Sequence, residues 1–252
     1  MLKNVLVLLV LLALIVPVFS IRLIVPESKV LVGNDFVGKT FPGATVELIF
    51  AKENNKYSSI EVLGVSPAGF EWSSKPELES LRLYLIIPKD TVNQTKDYQL
   101  AFKKDDKIVD EVTVKLLIDN SLLSVALDNY SQEINTFSDV DYSFTFLNSS
   151  DSPVIFTITS DLPQGWASSK EFFVDARSFS TGKFSVNPKL EGSKVFSFTT
   201  TYSNKSVSFD DVTLLSKPTI ESKVKSVFYG FPFYSFTLLP SYFLNGLITT
   251  FF

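Results

Sequence analysis

The sequence contains no cysteine and no histidine. Without thiols there is no disulfide to brace a small exported domain and no thiolate nucleophile. Without imidazole the chain lacks the side chain that most often serves as general base near neutral pH, and with it the usual nitrogen ligand of zinc. Neither a Ser-His-Asp nor a Cys-His catalytic arrangement can be assembled from this chain alone. Positive charge is also scarce. Lys and Arg total 23 against 27 Asp and Glu, the formal net charge is −4, and no basic run occurs. The electrostatic footprint of a nucleic-acid binder is therefore missing, and no nucleic-acid partner, metal or cofactor is expected.

Phenylalanine is the residue in excess, with 24 copies against a single methionine. Together with Val, Ile, Thr and Tyr it fits pleated, half-buried surfaces, so the composition leans towards β-structure. At 252 residues the chain has room for one large domain or two ordinary ones. A domain of roughly 95 residues buries some 60–70% of its unfolded surface, enough for stability without a covalent staple.

The two ends differ from the middle. Residues 1–20 read as a signal peptide: Lys3 supplies the positive start, Val5 to Val16 is uninterruptedly apolar, Pro17 breaks the run, and Val18 and Ser20 are small enough for cleavage after Ser20. An uncleaved N-terminal anchor is the other reading, although Arg22 leaves it at the short limit of a span. Either way the bulk of the chain is expected outside the cytoplasm, and an exported chain without cysteine fits a prokaryotic envelope or another extracellular setting. Residues 219–252 form an apolar tail in which no charge occurs from Ser226 to Phe252, with Lys223 and Lys225 just before it. Its length suits a membrane anchor, and its Phe and Tyr suit the interface. Gly230, Pro232, Pro240 and Gly246 interrupt it, which leaves open an interfacial segment, a further strand, a docking tail or a truncated product.

A duplication organises the middle. Phe41 to Phe50 (FPGATVELIF) matches Phe137 to Phe146 (FSDVDYSFTF) at an offset of 96, with Val46, Leu48 and Phe50 falling on Tyr142, Phe144 and Phe146. The same offset places Ile60 and Val62 on Phe156 and Ile158, and Pro67-Ala68-Gly69-Phe70 on Pro163-Gln164-Gly165-Trp166. Downstream the offset becomes 100, pairing Ile86 to Lys89 with Val186 to Lys189, Phe102 with Tyr202, and Asp110 to Thr113 with Asp210 to Thr213. Matches in the same order through one net insertion are the mark of an internal repeat.

Within each copy apolar and polar residues alternate, as in Val46–Phe50, Tyr142–Phe146 and Phe184–Val186. That period of two belongs to half-buried strands. Turn signals at Glu53-Asn54-Asn55, Lys103–Lys107, Asn148–Ser152 and Ser203-Asn204 separate them, with no helix-length 3.6 period between. The expectation is an all-β chain of two β-sandwiches, covering 21–119 and 120–218.

Pro163-Gln164-Gly165-Trp166, after the strand pattern FTFLNSSDSPVIFTIT, resembles the immunoglobulin-like accessory domain found beside α-galactosidase modules and repeated in membrane-anchored surface proteins of bacteria and archaea. The resemblance covers about 121–217 and, less closely, 21–119, where Phe70 stands for the Trp and Trp72 lies two residues on. It implies two tandem immunoglobulin-like domains acting as accessory, spacer or adhesion modules. No functional residue of that family carries over.

Three sets of side chains are candidate sites. Trp72 and Trp166, with Tyr57, Tyr130 and Tyr142, could stack on sugars if exposed. A Trp behind a Pro-x-Gly turn also packs over a sandwich core, and the recurrence of the position in both copies favours packing. The acidic residues Asp105-Asp106, Asp110-Glu111, Asp139, Asp141 and Asp210-Asp211 raise a two-carboxylate glycosidase or a calcium site. They sit at turns and strand starts without a calcium-loop pattern, so solvated turn charge is favoured. Four Asn-x-Ser/Thr sequons, at Asn93, Asn129, Asn148 and Asn204, are possible N-glycosylation sites, Asn148 and Asn204 in expected turns. The expected role is a non-catalytic stalk, adhesion or binding protein of the cell surface, partnered by the membrane and by an envelope protein or glycan. A carbohydrate-binding module using exposed aromatics is the alternative.

Overall fold

The computed structural model describes residues 21–26, 29–31, 36–52, 56–64, 70–220 and 223. The expected signal segment, the uncharged run 226–252 and the Pro67-Ala68-Gly69 turn lie outside them. Chain contacts divide the protein into two compact units. Among the described residues, the first comprises those up to 123 together with 148–154 and 175–178, and the second comprises 124–147, 155–174 and those from 179 onward.

The first unit contains β1 (Ile21–Val25), β2 (Lys29–Leu31), β3 (Phe36–Thr40), β4 (Thr45–Ala51), β5 (Ser59–Leu63), β6 (Glu71–Pro76), β7 (Ser80–Ile86), β8 (Gln94–Lys104) and β9 (Lys107–Ile118). One sheet runs β2-β1-β4-β7-β6 and the other β3-β9-β8-β5. Alternation sets the buried face: Val46, Leu48 and Phe50 of β4 lie opposite Leu85, Leu83 and Leu81 of β7. Ile60 and Val62 of β5 face Phe102 and Leu100 of β8. Both sets meet in one core that also takes in Leu23, Tyr57, Tyr98, Val114, Leu116 and Ile118. Each such side chain withdrawn from water contributes about 1.5–3 kcal/mol, which is how the unit dispenses with sulfur cross-links.

The second unit is built from β10 (Leu123–Leu127), β11 (Ser131–Asn135), β12 (Val140–Asn148), β13 (Val154–Ser160), β14 (Lys170–Val174), β15 (Ser178–Val186), β16 (Gly192–Tyr202) and β17 (Lys205–Lys217). A three-stranded sheet β10-β12-β15 faces a five-stranded sheet β11-β17-β16-β13-β14. Rings join the two layers. Tyr142 and Phe144 on β12 meet Phe198 on β16 at centroid separations of 5.1 and 5.2 Å, and Phe146 meets Phe156 on β13 at 4.9 Å.

Each unit is an immunoglobulin-like sandwich, and its topology identifies it. The first, second and fifth core strands share one sheet, and the third, sixth and seventh share the other. A short early strand crosses over to pair parallel with the last one, β3 with β9 and β11 with β17, while the other registered pairings are antiparallel. The strand after the third differs between units. In the first, β6 joins β7; in the second, β14 joins the sheet of β13.

Cross-strand register follows the sequence duplication as far as the sixth core strand. Val62 pairs with Leu100 and Ile158 with Thr200, the equivalences given by offsets of 96 and 100. The last strand departs from the match between Asp110 and Asp210. Asp110 pairs with Phe102, whereas Asp210 falls in a bulge where the register shifts between Phe196 and Phe198. In the first unit the hairpin runs on through Lys103 and Lys104 to a turn at Asp105-Asp106, whereas β16 ends at Tyr202. Bulges at different places then break the one-to-one count.

Between β9 and β10 the backbone makes a single 3-10 turn, Asn120–Leu122, whose cap residue Asp119 accepts the Ser121 N–H at 2.8 Å. Among the described residues no helix is long and apolar enough to cross a membrane.

Candidate functional site

Three of the aromatic residues considered for sugar stacking pack inside the sandwiches, as favoured for a Trp behind a Pro-x-Gly turn. Tyr57, Tyr142 and Trp166 are core residues, 2%, 0% and 7% exposed. Trp166 is held there by its turn. Its N–H donates to Pro163 O at 3.1 Å across Gly165, whose φ of 83° is a conformation that glycine adopts without strain. Trp72 is 36% exposed and lies on edge strand β6, all six residues of which are exposed. Tyr130, in the second unit, is exposed as well.

The carboxylates are scattered along strand ends and turns. Asp105 and Asp106 form the β8–β9 turn at positive φ, and Asp211 occupies the β17 bulge at a φ of 59°. Asp141 accepts Ser185 Oγ at 2.7 Å with Lys183 at 3.6 Å, and the serine hydrogen bond together with the lysine charge holds its carboxyl below the usual range. Asp139 accepts Asn187 Nδ2 at 2.6 Å, and Asp210 accepts Ser208 Oγ at 2.6 Å. Among the described residues no group of three or more His, Cys, Asp or Glu is placed to hold a metal ion.

Asp110 anchors a charged contact in the first unit. It accepts from Lys56 Nζ at 2.7 Å and from Tyr57 Oη, and the Lys56 ammonium also lies 4.8 Å from the Tyr57 ring centre. Burial pushes the Tyr57 phenol up to about 12, and the hydrogen bond to Asp110 adds to this. The cluster fastens the loop before β5 to the start of β9.

The largest departure from the sequence reading is at Asn148, expected in an exposed turn with its side chain in solvent. It is 0% exposed. Its Nδ2 donates to Ser152 O and to Asp175 O, both at 2.8 Å, and its Oδ1 accepts the Ser150 N–H at 3.0 Å and Ser150 Oγ at 2.6 Å. Beside it the buried Asp151 carboxylate accepts the Lys39 N–H at 2.7 Å and pairs with Arg177 Nε, and the Asp151 N–H donates to Lys39 O at 2.7 Å. Thr40 and Ser152 hydroxyls lie 3.4 Å apart. These contacts all fall within the first unit, which takes in residues 148–154 and 175–178. In sequence Asn-Ser-Ser-Asp-Ser reads as a solvent loop, and no local pattern distinguishes a small polar run that is buried from one that is wet. The other three sequons are exposed: Asn93 next to Asp119, Asn129 before β11, and Asn204 at the tip of the β16–β17 hairpin.

No protein-family model matches the chain, and no curated protein matches it. Similar solved structures include a chimeric titin Z1Z2 at 12% identity and a TM-score of 0.39, covering 79% of this chain and 97% of that one. The D00-D0 domain of Intimin aligns at 10% identity and a TM-score of 0.28, over 78% and 100%. An endo-fucoidan hydrolase of glycoside hydrolase family 107 aligns at 13% identity and 0.35, over 75% of this chain but only 28% of the hydrolase.

Proposed function

We propose that this protein is a non-catalytic cell-surface module, a stalk or adhesion protein whose two immunoglobulin-like domains are exported behind residues 1–20 and tethered by residues 226–252. The finer kinship, with the accessory domains that accompany α-galactosidase modules, belongs to the same proposal and rests on the Pro163–Trp166 turn. The observation that carries the reading is the use of the candidate chemistry as structure. Trp166, Tyr57 and Tyr142 fill cores, and Asp110, Asp139 and Asp141 are tied to neighbouring side chains within single units. What remains for partners is sheet edges, loop ends and polar outer faces, which suit protein or glycan contacts made over an area rather than turnover in a cleft.

Fractionation with protease shaving of intact cells tests the tether. The full chain is expected in the membrane fraction and cleaved from outside, and a version lacking residues 226–252 is expected in the soluble exported fraction. An unchanged distribution of the truncated chain overturns it. The alternative, a carbohydrate-binding module, rests on Trp72 as the one exposed tryptophan. A Trp72→Ala variant that stays folded and loses retention on envelope polysaccharide would favour that alternative.

A further inference from the structure

Four sequons that look equivalent in sequence are made unequal by the fold. We infer that folding sorts them into three exposed N-glycan acceptors, Asn93, Asn129 and Asn204, and one closed site, Asn148. The transfer in question joins asparagine Nδ2 to the anomeric carbon of a saccharide carried on a polyprenyl diphosphate. The new C–N bond forms as the bond from that carbon to the diphosphate breaks, the amide loses one proton, and the lipid diphosphate departs.

At Asn148 both amide hydrogens are committed, to Ser152 O and Asp175 O, and the residue has no solvent-exposed surface. A sugar there would break one of these bonds and need space that the packed 148–152 turn occupies, so transfer must wait for that turn to open. Asn93 is exposed but held on both sides of its amide. Nδ2 donates to Asp119 Oδ1 at 2.9 Å and Oδ1 accepts the Asn120 N–H at 3.2 Å. Asn129 is exposed, and its Oδ1 accepts the Ser131 N–H at 3.3 Å in a local turn. Asn204 occupies a two-residue hairpin between Tyr202 and Lys205, and its sequon partner Ser206 is exposed on β17. Closure of Asn148 makes the order of events matter. A glycan added before folding blocks the turn, and the folded turn blocks the glycan.

The full chain, purified in its folded state, is incubated with a single-subunit oligosaccharyltransferase of broad sequon preference and a short polyprenyl-diphosphate saccharide. The same protein cleaved on the amino side of its aspartates, which leaves all four sequons whole, is treated in parallel, and each site is quantified by peptide mass spectrometry. Relative to its own free peptide, Asn148 is expected to be suppressed at least about ten-fold in the folded chain, and Asn129 and Asn204 to stay within about two-fold, because only the first requires local opening. Asn93 is expected between them. Near-parity at Asn148, or suppression of Asn204 or Asn129 as deep as that of Asn148, overturns the assignment. The readout does not depend on where the chain is anchored.

Discussion

The two units share a strand topology and fill it with different side chains. Where the first unit buries Val46, Leu48 and Ile60, the second buries Tyr142, Phe144 and Phe156 at the repeat-equivalent positions. Rings are not confined to the second unit, since Phe50 and Tyr57 both meet Phe102 in the first, but among the described residues the second unit holds more of them, and it bears the marks of giving each ring a slot. Phe172 lies so close to β15 that a Cβ added at Gly182 would sit 2.2 Å from its ring, so the glycine is required by packing and not by backbone angle. The exchange also has a polar cost. Thr200 stands where the first unit has Leu100, fully buried and with a hydroxyl that has no hydrogen-bond partner. The same architecture can therefore be filled with a smaller or a larger share of rings, and the larger share constrains more neighbours.

Each unit carries one tryptophan, Trp72 in the first and Trp166 in the second, so single Trp→Phe backgrounds allow fluorescence to follow the unfolding of each separately. The largest difference is expected for Phe144→Ala, which removes ring contacts to Phe146, Phe198 and Phe209. It should cost the second unit about 3–5 kcal/mol in denaturant titrations and leave the Trp72 transition in place. Leu48→Ala, the aliphatic counterpart, should cost the first unit at the lower end of about 2–5 kcal/mol. Equal losses in the two units would mean that the rings add nothing beyond volume.

Arg177→Ala comes next. It leaves the Asp151 carboxylate, with 0% side-chain exposure, without its cation, at a cost of about 2–3 kcal/mol once the partial exposure of the arginine is allowed for. Because residues 148–154 and 175–178 belong to the first unit, the loss should register through Trp72. A loss seen only through Trp166 would reassign this turn. Gly182→Ala should cost the second unit about 1–3 kcal/mol through overpacking against Phe172, and Gly182→Ala combined with Phe172→Leu should recover part of it.

A pH comparison is smaller at neutrality and grows with alkalinity. Burial pushes Tyr98 up to about 12, and burial with the Asp110 hydrogen bond does the same for Tyr57. The unfolded chain releases these protons near pH 10 while the folded first unit retains them. The stabilisation is therefore complete below pH 10 and declines by about 1.4 kcal/mol per pH unit for each tyrosine up to about pH 12. Tyr98→Phe should halve that slope, as read by denaturant titrations between pH 9 and 11. The smallest expected effect is a gain. Thr200→Val removes a buried hydroxyl with no partner and should stabilise the second unit by about 1 kcal/mol, measured as a shift in its midpoint.

Much of the architecture was legible because it rests on period and order. Val46, Leu48 and Phe50 are buried while Glu47 and Ile49 between them are only half-buried, since successive residues of a strand face opposite sides. The Pro163–Trp166 turn was readable because glycine and an aromatic residue at fixed spacing meet one geometric need. The site was legible only as a roster of residue types. Tyr57, Tyr142 and Trp166 have the same chemistry whether they stack on a ligand or on a core, and their positions in the fold made them core.

The sequence by itself determined the all-β class, the duplication and the faces of most strands, because these depend on residues adjacent or a constant distance apart. The tertiary structure decided that β6 and β14 join different sheets, that Asp210 leaves the register that Asp110 keeps, and that Asn148 and Ser150 to Ser152 are buried while the similarly polar Ser203-Asn204 turn is not. Each of those outcomes depends on what packs against a segment from far along the chain, at Lys39, Thr40 and Arg177 for the buried turn, and no local pattern of residues encodes the neighbour it will meet.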